Sequence, residues 1–276
     1  MTNDSTNDQT KSLLSKVKRA KSMTSVDKLK VLITGATKQG KSFICATSGK
    51  TPLIGLTELQ AVVTIKRANP EACIFEIKTM RDIVDFLTLA SSGDATKHFD
   101  AICLDGITDA QRIIRAHYTN QQGERAGKTK TSQETWGIII DATAKLARNL
   151  RDIENNVIVT ALDKEDTVEG IGIVHRPSLS GKNLPNDIGQ YFNAVGFISS
   201  IRRENGLRRE VFFRADEHYL VGGPEFLDDI EMPSFRWWSS KMHASQPSDD
   251  LKAEHDAWMA IDQPKDEKND DNTNNE

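Results

Sequence analysis

The sequence predicts an α/β fold: a mainly parallel sheet with helices on both faces. Three observations predict it. Short apolar runs recur along the chain, amphipathic helical patterns lie between them, and a phosphate-loop pattern joins the first run to a helix. The apolar runs are Val31–Thr34, Pro52–Gly55, Ala72–Glu76, Ala101–Leu104, Val157–Thr160, Ala194–Ser200 and Val211–Arg214. Strands that alternate with helices need right-handed crossovers, which place a ligand crevice at the carboxyl ends of the strands.

The first strand leads into Gly35-Ala36-Thr37-Lys38-Gln39-Gly40-Lys41-Ser42, a full match to G-x-x-x-x-G-K-[ST]. Glycines let the backbone wrap a phosphate without Cβ collisions, so that N–H groups point inward. The pattern assigns Lys41 to the β- and γ-phosphates of a nucleotide and the Ser42 hydroxyl to Mg²⁺. Residues 42–47 open a helix, the setting that the motif requires. The next strand ends just before Glu58, where a carboxylate can align or deprotonate a water; the bland alternative is a surface Glu in a helix first turn. Phe99–Asp105 is an apolar strand ending on a carboxylate. Asp105 is expected at the Mg²⁺ shell, on a strand lying directly beside the phosphate-loop strand; the alternative is a cap on the turn Gly106–Asp109.

Of the helical segments, Met80–Leu87 carries Ile83, Phe86 and Leu87 on one face. Trp136–Ile153 is the longest, with Ile139, Ile140, Thr143, Leu146, Ala147, Leu150 and Ile153 in register. Two polar, glycine-containing stretches, Thr119–Glu134 and Asp163–Asp187, read as exposed loops.

The 276-residue chain suits one α/β domain with terminal extensions. Residues 1–27 read as a flexible basic arm, 28–245 as the core, and 246–276 as an acidic, disordered tail with a possible short helix around Leu251–Ile261. Net charge is −4, yet residues 249–276 hold ten acids and three bases, so a mildly basic body is masked by its tail. Cys45, Cys73 and Cys103 are odd in number, without C-x-x-C spacing, and each reads as a small core hydrophobe in a reducing, cytoplasmic setting. The six histidines show no metal-ligand spacing. No apolar run reaches membrane-spanning length, so no membrane association is expected. Trp237-Trp238 reads as docking a C-terminal segment, or as a base-stacking pair. Arg202, Arg203, Arg208 and Arg209 flank an Asn205-Gly206 hairpin signal and offer a basic edge.

The order of phosphate loop, strand ending near Glu, acid-ending strand, long helix, strand and glycine-containing loop resembles the RecA-like ATPases. It is most similar to the compact RecA-like ATP-binding proteins of bacteriophages, associated with single-strand annealing and recombination. The stretches GATKQGKS, PLIGLTE, FDAICLDGITD, NNVIVTALDKED and RPSLSGKNLPNDIGQYFNAVGFI carry the resemblance over about residues 28–235. It implies a RecA-like P-loop NTPase that uses ATP and Mg²⁺ and acts on single-stranded DNA, in a host cytoplasm. Lys41 and Ser42 take phosphate and metal, Asp105 becomes the Walker B acid, and Glu58 the water-activating acid. The two loops, with Arg125, Lys128 and Lys130 in the first, fall where such proteins contact DNA. Lys182 falls where a neighbouring subunit's ATP receives a basic finger; a solvated loop lysine is the alternative. A homo-oligomer and a single-strand-binding or annealing partner are implied as well. Leu162 stands where relatives carry a polar residue after the strand, which leaves ATP–DNA coupling to Thr160 or Asp163 and favours a nucleotide-gated annealing or scaffold protein with little turnover. A P-loop small-molecule kinase, with Arg125 and Arg176 on a lid, is the further alternative.

Overall fold

The computed structural model describes residues 28–121, 131–203, 206–214 and 217–261. The basic arm, Arg125, Lys128, Lys130, Asn205 and the last fifteen residues lie outside them.

Among the described residues nine strands form one sheet: β1 (Lys30–Gly35), β2 (Leu53–Leu56), β3 (Cys73–Glu76), β4 (Ala101–Asp105), β5 (Asn156–Val168), β6 (Gly172–Pro177), β7 (Ala194–Arg203), β8 (Gly206–Phe212) and β9 (Ile230–Glu231). Their order is β3-β2-β4-β5-β1-β7-β8-β9, with β6 paired to the far half of β5. The run from β3 to β7 is parallel, whereas β6, β8 and β9 pair antiparallel. The phosphate-loop strand β1 therefore lies between β5 and β7. It does not touch β4, contrary to the expectation that the acid-ending strand would be its neighbour.

The helices are α1 (Lys41–Ala46), α2 (Val62–Ala68), α3 (Met80–Ala90), α4 (Gly93–His98), α5 (Ile107–Gln121), α6 (Gln133–Asp152), α7 (Leu184–Asp187), α8 (Phe235–Met242) and α9 (Asp249–Ala260). They cover both faces because the central strands alternate between two buried clusters. Leu32, Ile102, Leu104, Val157 and Val159 face one cluster with Ile83 and Phe86 of α3 and Leu146 and Leu150 of α6. Val31, Ile33, Cys103 and Ile158 face the other, with Ile44 and Cys45 of α1, Ile65 of α2 and Trp238 of α8. Local signals set the helix starts. Thr79 and Asp82 form a capping box on α3, and the Ser132 hydroxyl accepts from Thr135 N at 3.1 Å to cap α6.

Four expectations change. The segment 163–187 is not one loop: β5 runs on to Val168 and pairs with β6 as a projecting antiparallel arm, followed by α7. Gly106–Asp109 does not close a turn but opens α5. Cys73 is exposed on the edge strand β3, while Cys45 and Cys103 are buried. Finally, the boundary at 246 cuts across ordered structure. The helix α9 buries Leu251, Arg236 binds Asp250 at 2.9 Å, and His255 stacks on Trp237 with ring centroids 4.0 Å apart. Trp238 is fully buried and donates to Met232 O at 2.9 Å, so the tryptophan pair docks the C-terminal segment.

The sheet beside the loop is tight. A Cβ on Gly196 of β7 would lie 2.6 Å from Val211 Cγ1, 2.8 Å from Phe213 Cε1 and 3.0 Å from Ile33 Cδ1, all on buried side chains. Gly196→Ala is therefore expected to lower unfolding stability by about 1–3 kcal/mol through overpacking. Urea unfolding checks this; an unchanged midpoint would show that this layer can yield.

Candidate nucleotide-binding site

The carboxyl ends of β1, β2 and β4 finish level, beside residues 160–162 of β5. Gly35 pairs with Leu162, Asp105 with Thr160 and Leu56 with Asp105. Everything that follows these strand ends opens onto one crevice of about 490 Å³, lined among others by Lys41, Ser42, Glu58, Asp105, Asp109 and Thr160. The sequence pattern thus brings together Lys41, Ser42, Glu58 and Asp105.

The loop is shaped by its backbone. Lys38 (φ 65°) and Gly40 (φ 108°) are left-handed, which turns successive N–H groups to a common concave side. Gly35 is required by close approach: a Cβ there would meet Ile198 O at 2.6 Å. Ala36, Thr37 and Gln39 complete the loop, and α1 starts at Lys41. The Lys41 ammonium donates to Gly35 O at 2.8 Å and Ala36 O at 2.7 Å, so it closes the loop on itself. Burial lowers its pKa from the usual 10.5, against the raising effect of Asp105, Glu58 and Asp163.

Asp105 is 8% exposed. Its Oδ1 accepts from Thr160 Oγ1 at 2.5 Å, across from β5. Its backbone carbonyl accepts from Thr57 N at 2.9 Å and Thr57 Oγ1 at 3.1 Å, and Gly106 N donates to Thr57 Oγ1 at 3.0 Å. Thr57 thereby ties the turn that carries Glu58 to the end of β4. Glu58 itself is exposed at the crevice rim. Desolvation, a hydrogen bond with Asp109 and the charges of Asp109 and Asp105 raise its pKa above the usual 4.5, with Arg112 opposing.

Lys182 does not reach this crevice. It lines a neighbouring hollow of about 500 Å³ with Arg112, Lys164 and Arg176, on the outer side of the β5–β6 arm. Thr108 lines both hollows. Gln111, one turn further along α5, donates to Ser180 O at 3.1 Å and accepts from Ser180 N at 2.6 Å, which holds the Ser180-Gly181-Lys182 loop. Of the other predicted polar groups, Asp163 Oδ2 is hydrogen-bonded to His175 Nδ1 at 2.7 Å, and His175 stacks on Tyr219 at 4.8 Å. Arg203 and Arg208 are drawn into ion pairs with the fully buried Glu210, so two of the four arginines of the basic edge serve the fold. Leu162 lines the crevice with an apolar side chain.

Sequence reading left Asp109 and Arg209 without a place in the site, and it gave Thr160 a coupling role rather than the hold on Asp105 seen here. Thr160 was visible as a polar residue at the end of an apolar strand. Asp109 carried no motif, and Arg209 reaches the crevice only because β8 folds back alongside β7.

The sheet order, the left-handed phosphate loop and the acid at the end of β4 define a P-loop NTPase domain of RecA-like type. Residues 27–221 match the model of AAA_24, described as an AAA domain, and the chain belongs to that family. Among solved structures, the KaiC-like protein PH0186 of Pyrococcus horikoshii OT3 is 11% identical, with 67% of this chain and 77% of that one covered and a TM-score of 0.34. The flagellar accessory protein FlaH of Methanocaldococcus jannaschii is also 11% identical, with coverages of 67% and 78% and a TM-score of 0.35. No curated protein matches the chain in sequence. Among the described residues no helix is long and apolar enough to cross a membrane.

The Glu58–Asp109 contact has a direct readout. The Glu58 side chain is expected to titrate above 4.5, and Asp109→Asn, which removes a negative neighbour, is expected to lower that midpoint. Carboxyl-carbon NMR titration of both proteins checks it; equal midpoints would place Asp109 outside the electrostatics of Glu58.

Proposed function

We propose that the protein is an ATP-dependent, Mg²⁺-requiring ATPase that acts on single-stranded DNA, as in phage recombination or replication. The convergence of Lys41, Ser42, Glu58 and Asp105 on one crevice carries the nucleotide part of this reading. The residues fit the ligand. The concave left-handed backbone suits a phosphate, and the Ser42 hydroxyl and the Asp105 carboxylate suit a hard divalent cation, which Asp105 meets directly or through water. Mg²⁺, when bound with the nucleotide, supplies charge neutralisation at the transferring phosphoryl group.

The chain's own groups do the rest. Lys41 leaves its two loop carbonyls for the phosphate oxygens, a swap of one set of acceptors for a more negative one. Glu58, in its ionised form, holds an attacking water in line and takes its proton. Thr160 fixes the Asp105 carboxylate.

The DNA part rests on the hollow beside the crevice. Arg112, Lys164, Arg176 and Lys182 surround it, suiting a phosphate backbone. Arg112 and Lys164 also have acidic partners, Asp109 and Asp166. Lys182 belongs to this patch, and our reading of a homo-oligomer also assigns it to a neighbour's nucleotide, as a cation in trans. A single-strand-binding or annealing protein is the partner expected on the same DNA. One observation favours a second reading, a nucleotide-gated annealing protein with little turnover: the crevice wall at Leu162 is apolar where coupling to DNA would need a polar contact.

Lys41→Ala is expected to lose Mg·ATP binding and turnover while circular dichroism stays native. Glu58→Gln should keep nucleotide binding and slow hydrolysis about 10²–10⁴-fold. Steady-state ATPase assays with and without an oligonucleotide test both, and measurable binding with negligible turnover in the wild type selects the second reading.

For DNA, the double variant Arg176→Ala/Lys182→Ala is expected to weaken oligonucleotide binding and flatten its dependence on salt, because fewer counterions are released. Fluorescence titrations at two salt concentrations measure this. If neither protein binds DNA with ATP present, the single-stranded DNA reading fails.

A further inference from the structure

A smaller hollow of about 280 Å³ borders the phosphate loop at Gly40. It adjoins the crevice: Gly40, Phe43 and Arg209 line both. Its remaining walls are mostly apolar. Leu207 of β8, Met232, Pro233 and Trp258 of α9 are among them, with one carboxylate, that of Glu254. Leu207 is 62% exposed, a large apolar side chain left facing an open slot.

The helix α9 is fastened where it borders this slot. Trp258 Nε1 donates to Arg209 O at 2.7 Å, and the Arg208 guanidinium sits 4.1 Å from the Trp258 ring centroid. Arg209 thus has its backbone held by α9 while its side chain passes within van der Waals reach of Gly40. A nucleotide whose phosphates fill the loop at Gly40–Ser42 must send its ribose and base onward from there. The slot begins at that point. A flat base offers two apolar faces and a polar rim, which suits walls of Trp, Met and Pro and a guanidinium at the mouth.

We propose that α9 forms one wall of a purine-base subsite, with Trp258 and Leu207 against the base and Arg209 at the junction of ribose and phosphate. The C-terminal segment then belongs to the nucleotide site rather than to a solubilising tail. This rests on the nucleotide reading above, and the test separates the two.

Titration calorimetry on the full chain compares Mg·ATP with Mg·tripolyphosphate, which has the phosphates but no base. In the wild type, ATP is expected to bind more tightly than tripolyphosphate. Trp258→Ala should weaken ATP roughly 5- to 100-fold, the range of a lost base–aromatic contact, and leave tripolyphosphate affinity unchanged. Leu207→Asp should act in the same direction, and since Leu207 is largely exposed this variant does not depend on core packing. Unchanged tripolyphosphate binding also reports an intact loop. If both variants leave the ATP-to-tripolyphosphate ratio at the wild-type value, or if the wild type shows no preference for ATP, the base subsite is overturned while the phosphate site stands. If the wild type binds neither ligand, the nucleotide reading falls, and this proposal with it.

Discussion

The place of β5 between β1 and β4 is the constraint on which the rest of the site depends. It separates the loop strand from the acid strand by one strand, so Asp105 meets the loop across the end of β5 rather than from a neighbouring position. Thr160 spans that gap, with its hydroxyl on Asp105 Oδ1 at 2.5 Å. Gly106 shares the space: a Cβ there would lie 3.1 Å from Thr160 Oγ1 and 3.2 Å from Thr160 O. The end of β4 therefore has room for a glycine after the acid and little else. From the other side Thr57 clasps the same strand end, and Glu58 inherits its position from that clasp. Two threonines thus place two acids.

The charges in the crevice follow from the same geometry. The crevice lining sets three carboxylates, those of Glu58, Asp105 and Asp109, beside three cations, Lys38, Lys41 and Arg209. Desolvation, with the neighbouring acids Asp109 and Asp105, raises the Glu58 pKa, and burial lowers that of Lys41. A triphosphate that arrives with a divalent cation meets two ready oxygen donors and relieves the crowding of like charge. The acids therefore suit a metal–nucleotide complex better than the free nucleotide.

Much of this was legible in the sequence because it is local. The glycine spacing of the loop, the apolar strands and the acids that follow them depend on residues a few positions apart, and period-2 alternation across two clusters matches the parallel core. What the sequence hid is long-range or polar. Strand order along the sheet leaves no local mark, so β4 was expected beside β1. The far half of β5 and all of β6 carry charged and glycine residues because this arm projects with much of its surface wet, and the apolar pattern that marks a buried strand is missing. The helix α5 starts with a Gly-Ile-Thr-Asp run that reads as a turn, and its polar residues face two hollows. Arg208 looked like free surface charge until β8 set it beside Glu210 and α9 laid Trp258 over it.

That helix also makes the two hollows one system. Thr108 lines both, and its hydroxyl accepts from Leu162 N at 3.0 Å, which fixes the start of α5 to the end of β5. Asp109 faces Glu58, and Gln111 holds both backbone groups of Ser180. These three contacts sit within one turn of a 15-residue helix, so its first turn cannot move toward one hollow without moving in the other. The apolar side chain of Leu162 removes a direct polar route along β5, yet its backbone still enters the linkage through Thr108. The first turn of α5 is thus a physical link between the hollows, alongside the backbone of β5, and coupling carried by it acts equally in both directions.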